Sequence, residues 1–206
     1  MTSVGGAPGR CPWGAEPPEY RRYHDEEWGR PVTDDGRIFE KLCLEGFQAG
    51  LSWLTILRKR EAFRAAFQGF VPAAVAAFGS DDVTRLLGDA GIVRNRAKIE
   101  ATIANARATL ALQASGGSLA TLLWSFEPVA RPAPSGLGDI PSSTPASKAL
   151  SRELGRRGFR FVGPTTVYAA MQSLGIVNDH VAGCFAREVC EAERASLARP
   201  VPGRQG

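Results

Sequence analysis

Residues 33–67 read TDDGRIFEKLCLEGFQAGLSWLTILRKREAFRAAF. Thr33-Asp34-Asp35 offers the side-chain oxygens that cap a helix start, and Ile38, Phe39, Leu42, Gly46 and Ala49 then recur at i, i+3, i+4 spacing. Gly50-Leu51 interrupts the pattern. Ser52 can cap again, and Trp53, Ile56, Leu57, Ala66 and Phe67 lie near one stripe of a second helix.

Outward from this pair the helical period continues. Pro72 suits the first turn of a short helix. Ser80 is expected to cap another, carrying Val83, Leu86 and Leu87 and ended by Gly88 or Gly91. Residues 95–114 form a longer helix with Ile99, Ile103, Ala106 and Leu110 on its apolar face. The proline-rich stretch 127–146 has no period and reads as a long loop, which in compact domains is usually functional or mobile. Helix resumes over 147–154, then RRGFRFVGPTT (156–166) leads into apolar Val167, Tyr168, Met171 and Leu174. Alternating patterns of strand length and internal repeats are absent, so the fold class is all-α.

The chain has 206 residues, 44% hydrophobic and 22% charged, enough for one domain with a real core. Its expected organisation is a disordered tail over 1–10, a helical domain over 11–190 and a disordered tail over 191–206. No run of about 18 apolar residues occurs, which excludes a transmembrane helix and predicts no membrane partner. Residues 1–10 lack the apolar stretch of a secretory signal, which points to the cytoplasm. A net charge of +4 is compatible with nucleic acid as a partner without requiring it.

Four constellations could carry chemistry. His180 and Cys184 stand four apart, one turn of a helix, while Cys11 and His24 lie near the start. Two Cys and two His complete the tetrahedral set that structural zinc prefers, and such a metal would clip the N-terminal segment to the C-terminal one. The alternative is a buried Cys184 and histidines without a metal. Trp13, Tyr20, Tyr23, Trp28 and Trp53 crowd aromatic faces into the first 53 residues, either as walls for an extruded base or as ordinary core. Glu45, flanked by Cys43, Leu44, Gly46 and Phe47, is either a carboxylate facing a closed pocket or an exposed partner of Lys41 at i−4. The run 155–163, with Gly158 and Gly163 around Arg160 and with Arg156 and Arg157, is a turn whose backbone N–H groups can approach a phosphate, or a helix–helix turn with solvated arginines.

The stretches CPW (11–13), YHDEEWGRPVTDD (23–35), FEKLCLEGFQAGLSWLTILRKRE (39–61), DAGIVRNRAKIEATIANARA (89–108), LWSF (123–126) and 140–184 together resemble the 3-methyladenine DNA glycosylase I family. The resemblance spans nearly the whole chain from 11 to 184 with the motifs in order. It implies a helical fold of the helix–hairpin–helix glycosylase superfamily, a monomer acting on double-stranded alkylated DNA, and a structural zinc held by Cys11, His24, His180 and Cys184. It further implies that Glu45 contacts the flipped base, that Trp53, Tyr23, Trp13, Tyr20 and Trp28 shape its pocket, and that Gly158, Arg160 and Gly163 hold the DNA backbone. The implied activity is hydrolysis of the N-glycosidic bond of 3-methyladenine, the first step of base excision repair. Phe47 stands where some relatives carry a polar Gln, which leaves the local pocket packing open. Asp179 is the one nearby candidate for the Asp that other members of the superfamily use after the hairpin, but it adjoins His180 and could orient that ligand instead, so no catalytic role is assigned to it. A zinc nucleobase deaminase would need an open metal position and P-C-x-x-C, and the chain has no CxxC. A non-catalytic helix–hairpin–helix module would explain the basic turn but not Glu45 beside the aromatic cluster.

Overall fold

A computed structural model describes residues 9–201, which are helical, with no strand among the described residues. A turn of 3-10 helix at Pro12–Gly14 leads to α1 (Pro18–Glu26), followed by α2 (Asp35–Gln48), α3 (Trp53–Ala66), α4 (Pro72–Ala76) and α5 (Ser80–Gly88). The second half holds α6 (Arg96–Ala114), α7 (Leu119–Trp124), α8 (Pro145–Arg156), α9 (Pro164–Ser173) and α10 (Phe185–Ser196).

The expected caps are made. Asp34 Oδ1 accepts the Arg37 N–H at 2.8 Å and Ser52 Oγ the Thr55 N–H at 3.2 Å, each satisfying a donor that a helix start leaves open. Asn95 does the same for α6, accepting the Lys98 N–H at 3.1 Å. One cap shifts: α5 starts with Ser80 inside the helix, and the Asp82 carboxylate accepts the Gly79 N–H at 3.2 Å instead.

The centre of the molecule is α2, whose residues from Leu42 to Phe47 are all buried and which packs against α3, α6, α7 and α9. Phe47 belongs to this core and not to the pocket described below. Its ring lies 4.6 Å from Phe63 and 5.8 Å from Phe67, so its apolar identity serves the packing of α2 on α3. Lys98, also buried, donates from Nζ to the Phe47 carbonyl at 2.8 Å and so satisfies an orphan acceptor at the end of α2. Asp35 ties the start of α7 to α2 by accepting the N–H groups of Leu119 at 3.1 Å and Ala120 at 2.9 Å.

Three helices went unmarked in the sequence reading. α7 is six residues long, too short to show a period. α1 buries only Tyr23 and His24, and α10 only Ala186 and Cys190, so neither has a wide apolar stripe. α10 also corrects the expected domain limit at 190. Its residues run to Ser196, Arg194 donates to Glu127 at 2.7 Å, and Arg199 grips the same carboxylate at 2.7 and 2.9 Å. At the other end, Gly9 pairs with Cys184 and Arg10 forks onto Asp25 at 2.8 and 2.7 Å, so both belong to the folded body. The expected disorder of residues 1–8 and 202–206 lies outside the described residues. No described helix is long and apolar enough to cross a membrane.

Candidate functional site

The α2–α3 pair and the segment before it bring the aromatic residues and Glu45 around one cavity of about 380 Å³. Trp13 comes from the opening 3-10 turn, Tyr20 and Tyr23 from α1, Trp28 from the turn after it, Glu45 from α2 and Trp53 from the first turn of α3. The rings meet edge-on or tilted: Trp13 lies 6.0 Å from Tyr20, 6.3 Å from Tyr23 and 4.9 Å from Trp28, and Tyr23 lies 5.4 Å from Trp53. Such contacts fix flat rings as the walls of a slot. The Tyr20 hydroxyl accepts the Leu54 N–H at 3.0 Å, which ties α1 to the start of α3 beside Trp53. Among the described residues, the Trp53 Nε1–H is the buried side-chain donor without a partner, and an open donor inside a pocket is a departure that functional sites tolerate.

Glu45 is 4% exposed, not the solvated partner of Lys41 that the i−4 spacing also allowed. Burial pushes its carboxyl up to about 7, while the charge of Lys41 and the neighbouring Ser173 hydroxyl, which also reaches the Ala170 carbonyl at 3.1 Å, pull it down. Burial likewise raises the Tyr23 phenol far above its ordinary range, so that ring stays neutral.

Behind Trp13 and Trp28, Cys11, His24, His180 and Cys184 are all buried, with their donor atoms within 4.8 Å of one another. Cys11 Sγ and Cys184 Sγ each lie 3.5 Å from His180 Nδ1, and Cys184 Sγ lies 3.4 Å from His24 Nε2. The other ring nitrogens face fixed acceptors: His24 Nδ1 meets Asp25 Oδ1 at 2.8 Å and His180 Nε2 meets the Trp28 carbonyl at 3.0 Å. Burial lowers both histidines, His180 to about 4, which keeps their rings neutral and able to donate a lone pair. Burial also raises the Cys11 thiol to about 12, a cost that a bound cation would reverse. The group is one that can hold a metal ion. Two expectations change here. His180 and Cys184 sit in the segment before α10, with Cys184 as its N-cap, rather than on one helix face. Asp179 does not orient His180; it accepts from Arg131 at 2.6 Å, from Gln172 at 2.8 Å and from the Tyr168 hydroxyl.

The run 155–163 forms the hairpin between α8 and α9. Gly158 has φ +89°, a conformation costly for any residue with a Cβ, and Gly163 caps α9. Arg160 projects an exposed side chain, whereas Arg156 and Arg157 both pair with Glu153 and leave less free charge than their number suggests. The hairpin backbone is held from α6: Asn105 Oδ1 accepts the Arg160 N–H at 2.7 Å and its Nδ2 donates to the Arg160 carbonyl at 3.1 Å. Asn105 is buried, so Asn105→Ala strands two backbone groups. That variant is expected to lose about 2–3 kcal/mol in urea unfolding, with faster exchange of the Arg160 amide; an unchanged midpoint would remove this role.

Every residue singled out for the pocket and for the metal group reaches its cluster, while Gly158, Arg160 and Gly163 lie apart on the hairpin. Gln48, Leu137, Ile140, Ala169 and Gln172 also line the pocket and went unmarked. For Leu137 and Ile140 the signal was available, since both sit in the long aperiodic loop. Asp25, held by Arg10, could have been found as the acid next to His24.

A family model described as methyladenine glycosylase matches residues 13–187. DNA-3-methyladenine glycosylase 1 of Escherichia coli (strain K12) is 52% identical over 178 residues, covering 85% of this chain and 95% of that protein. A crystal structure of 3-methyladenine DNA glycosylase I superposes with a TM-score of 0.84 at 51% identity, covering 87% of this chain and 100% of that one. The Staphylococcus aureus 3-methyladenine DNA glycosylase I, whose structure concerns 3-methyladenine recognition, gives a TM-score of 0.83 at 35% identity, covering 88% of this chain and 98% of that one.

Proposed function

The chain belongs to the methyladenine glycosylase family, and from that premise we infer that it is a DNA glycosylase hydrolysing the N-glycosidic bond of 3-methyladenine to start base excision repair. The observation that carries the mechanism is a buried carboxylate, Glu45, set among flat aromatic walls in a cavity large enough for one base.

Methylation at N3 leaves adenine cationic and weakens its bond to deoxyribose, so the leaving group is already good. The protein has to extract the nucleotide, accept the charged ring and refuse ordinary adenine. Extrusion costs a few kcal/mol and less for a poorly paired base. Glu45 accepts a hydrogen bond from the base edge and complements the ring's charge. Trp53 and Tyr23 stack on it, with Trp13, Tyr20 and Trp28 closing the slot, and a cation–π contribution of about 0.5–2 kcal/mol favours the methylated form. The C1′–N9 bond breaks with its electron pair leaving on the base, which departs as neutral 3-methyladenine, and water adds to the sugar cation at C1′ and gives its proton to solvent. Asp179, committed to three donors, is left out of this step.

The helix–hairpin–helix of α8 and α9 grips the backbone of double-stranded DNA without reading sequence: the N–H of Gly163 and the start of α9 meet phosphate, Arg160 adds charge, and Gly158, whose own N–H is taken by the Gly155 carbonyl at 3.0 Å, makes the turn that presents them. The metal is zinc. Tetrahedral Zn–S and Zn–N bonds give an S···N edge of about 3.6 Å, and the spacings of 3.4–3.5 Å here match it. Cys11 and Cys184 would supply thiolates, His24 its Nε2 and His180 its Nδ1, and the bound ion would supply rigidity rather than a reacting centre. The working form is a cytoplasmic monomer acting on the nucleoid.

The test is base release from methylated duplex DNA with chromatographic identification of the freed base. Free 3-methyladenine is expected, and no release by the folded, metal-loaded protein would overturn the assignment.

A further inference from the structure

The partly buried ammonium of Lys41 has no part in the reading above. It lies on α2 one turn before Glu45, with its side chain 13% exposed, and it is not among the residues lining the pocket. Its Nζ donates to the Tyr23 hydroxyl at 3.2 Å and sits 4.4 Å from the Tyr23 ring centre and 5.6 Å from that of Trp53. It therefore packs against the two rings that stack on the base.

The charges around it sort into pairs. From the turn after α1, Glu27 approaches Lys41 at 3.9 Å but is forked by Arg60 of α3 at 2.6 and 2.9 Å. Glu40, on α2 itself, is taken by Arg64 of α3 at 2.8 Å. Glu45 has no such arginine: α9 offers it the Ser173 hydroxyl, and α1 the neutral Tyr23 phenol. Of the three carboxylates near Lys41, two already have cations, and the third is the one in the pocket.

We propose that Lys41 is a positioning residue for base excision, a counter-cation that keeps the Glu45 carboxylate ionised in the empty pocket and holds the Tyr23 wall beside it. The proposal rests on the role given to Glu45 above. Burying a carboxylate in an aromatic slot favours its protonated form, and a protonated Glu45 neither complements a cationic base nor offers two full acceptors. An opposite charge within one helical turn works against that loss. It also lets the pocket hold a negative charge ready for a ligand that carries its own positive one.

Burial raises the Glu45 midpoint to about 7 and lowers that of the Lys41 ammonium to about 8, so Lys41 is charged across the acid limb, and wild-type base release is expected to fall as pH drops through 7. The charge of N3-methylated adenine does not titrate in this range, so the limb reports the protein. The experiment is single-turnover base release from methylated duplex DNA between acid and mildly alkaline pH, with spontaneous depurination subtracted. Lys41→Met and Lys41→Gln are expected to move the acid limb up by about one pH unit or more, with activity recovering at high pH. Lys41→Arg, which keeps the charge, is expected to restore the wild-type limb. A merely structural lysine would lower the rate at every pH and leave the limb in place. A folded Lys41→Met or Lys41→Gln protein with the wild-type limb overturns the proposal, and so does a Lys41→Arg limb displaced as far as theirs. Running Glu45→Gln alongside separates the two ideas. Wild-type activity in that variant removes the role of Glu45 itself, whereas an inactive Glu45→Gln with an unmoved Lys41→Met limb removes only the role of Lys41.

Discussion

Glu45→Gln is expected to fold, hold its metal and lose base release by about 10²–10³-fold, the loss typical of deleting one preorganised electrostatic contact of roughly 3–4 kcal/mol. Gln keeps the shape and one acceptor oxygen, so the aromatic slot stays open, but the charge that matches a cationic base is gone. Stability should move the other way. The folded-state carboxyl sits at about 7, above its ordinary value of 4.5, so the folded protein binds more protons than the unfolded chain between those limits. Ionised Glu45 therefore costs stability as pH rises through this window, and the cost is complete above it. Glu45→Gln removes that cost, and it should be more stable than wild type by on the order of 1–3 kcal/mol at pH 8. The difference should disappear below pH 4.5, where both side chains are neutral. Urea titrations at pH 8 and pH 4, with base release measured in parallel, check both halves. A Glu45→Gln protein that excises as fast as wild type rules out the role of the carboxylate.

Cys184→Ala is expected to lose the proposed metal ion and to drop the melting temperature by about 10 °C or more, the equivalent of roughly 3–5 kcal/mol in a domain of this size. Cys11 and His180 are 169 residues apart in sequence, and a bond between such distant points removes much of the unfolded chain's freedom. The loss should reach the pocket as well, because its walls rest on the ligands. Trp13 lies 5.2 Å from the His24 ring, and Trp28 lies 4.6 Å from the His180 ring, which its carbonyl also holds. The metal-free protein should then show weaker 3-methyladenine binding even below its melting point. Elemental analysis, calorimetry and tryptophan fluorescence on adding the free base read these effects separately. A zinc-free Cys184→Ala protein that melts with the wild type would show that the group is not structural.

The sequence by itself determined what depends on neighbours within four residues. The caps at Asp34 and Ser52 and the apolar stripes of α2, α3 and α6 follow from local hydrogen bonding and helical period, and they form as read except that Ala49 lies exposed past the end of α2. Both histidines of the chain and the spacing of His180 and Cys184 only suggested the two-Cys, two-His set; with four cysteines present, the family resemblance was needed to name it. Local reading missed the helices that bury few residues, α1 and α10, and it failed where a chain segment was shaped by what it met. The segment 175–184 is such a case: i, i+4 spacing suggested a helix, whereas Cys184 caps α10 and the backbone before it bends to meet Cys11 and His24. Only the tertiary structure decided that Glu45 faces a cavity rather than solvent, that Phe47 turns into the core, and that the charge of Lys41 acts on Glu45 while Arg60 and Arg64 take the other carboxylates. The reason is physical. A residue's helical tendency is set within its own turn, but its burial, its charge state and its partners depend on which distant helices pack against it, and those contacts exist only once the whole core has closed.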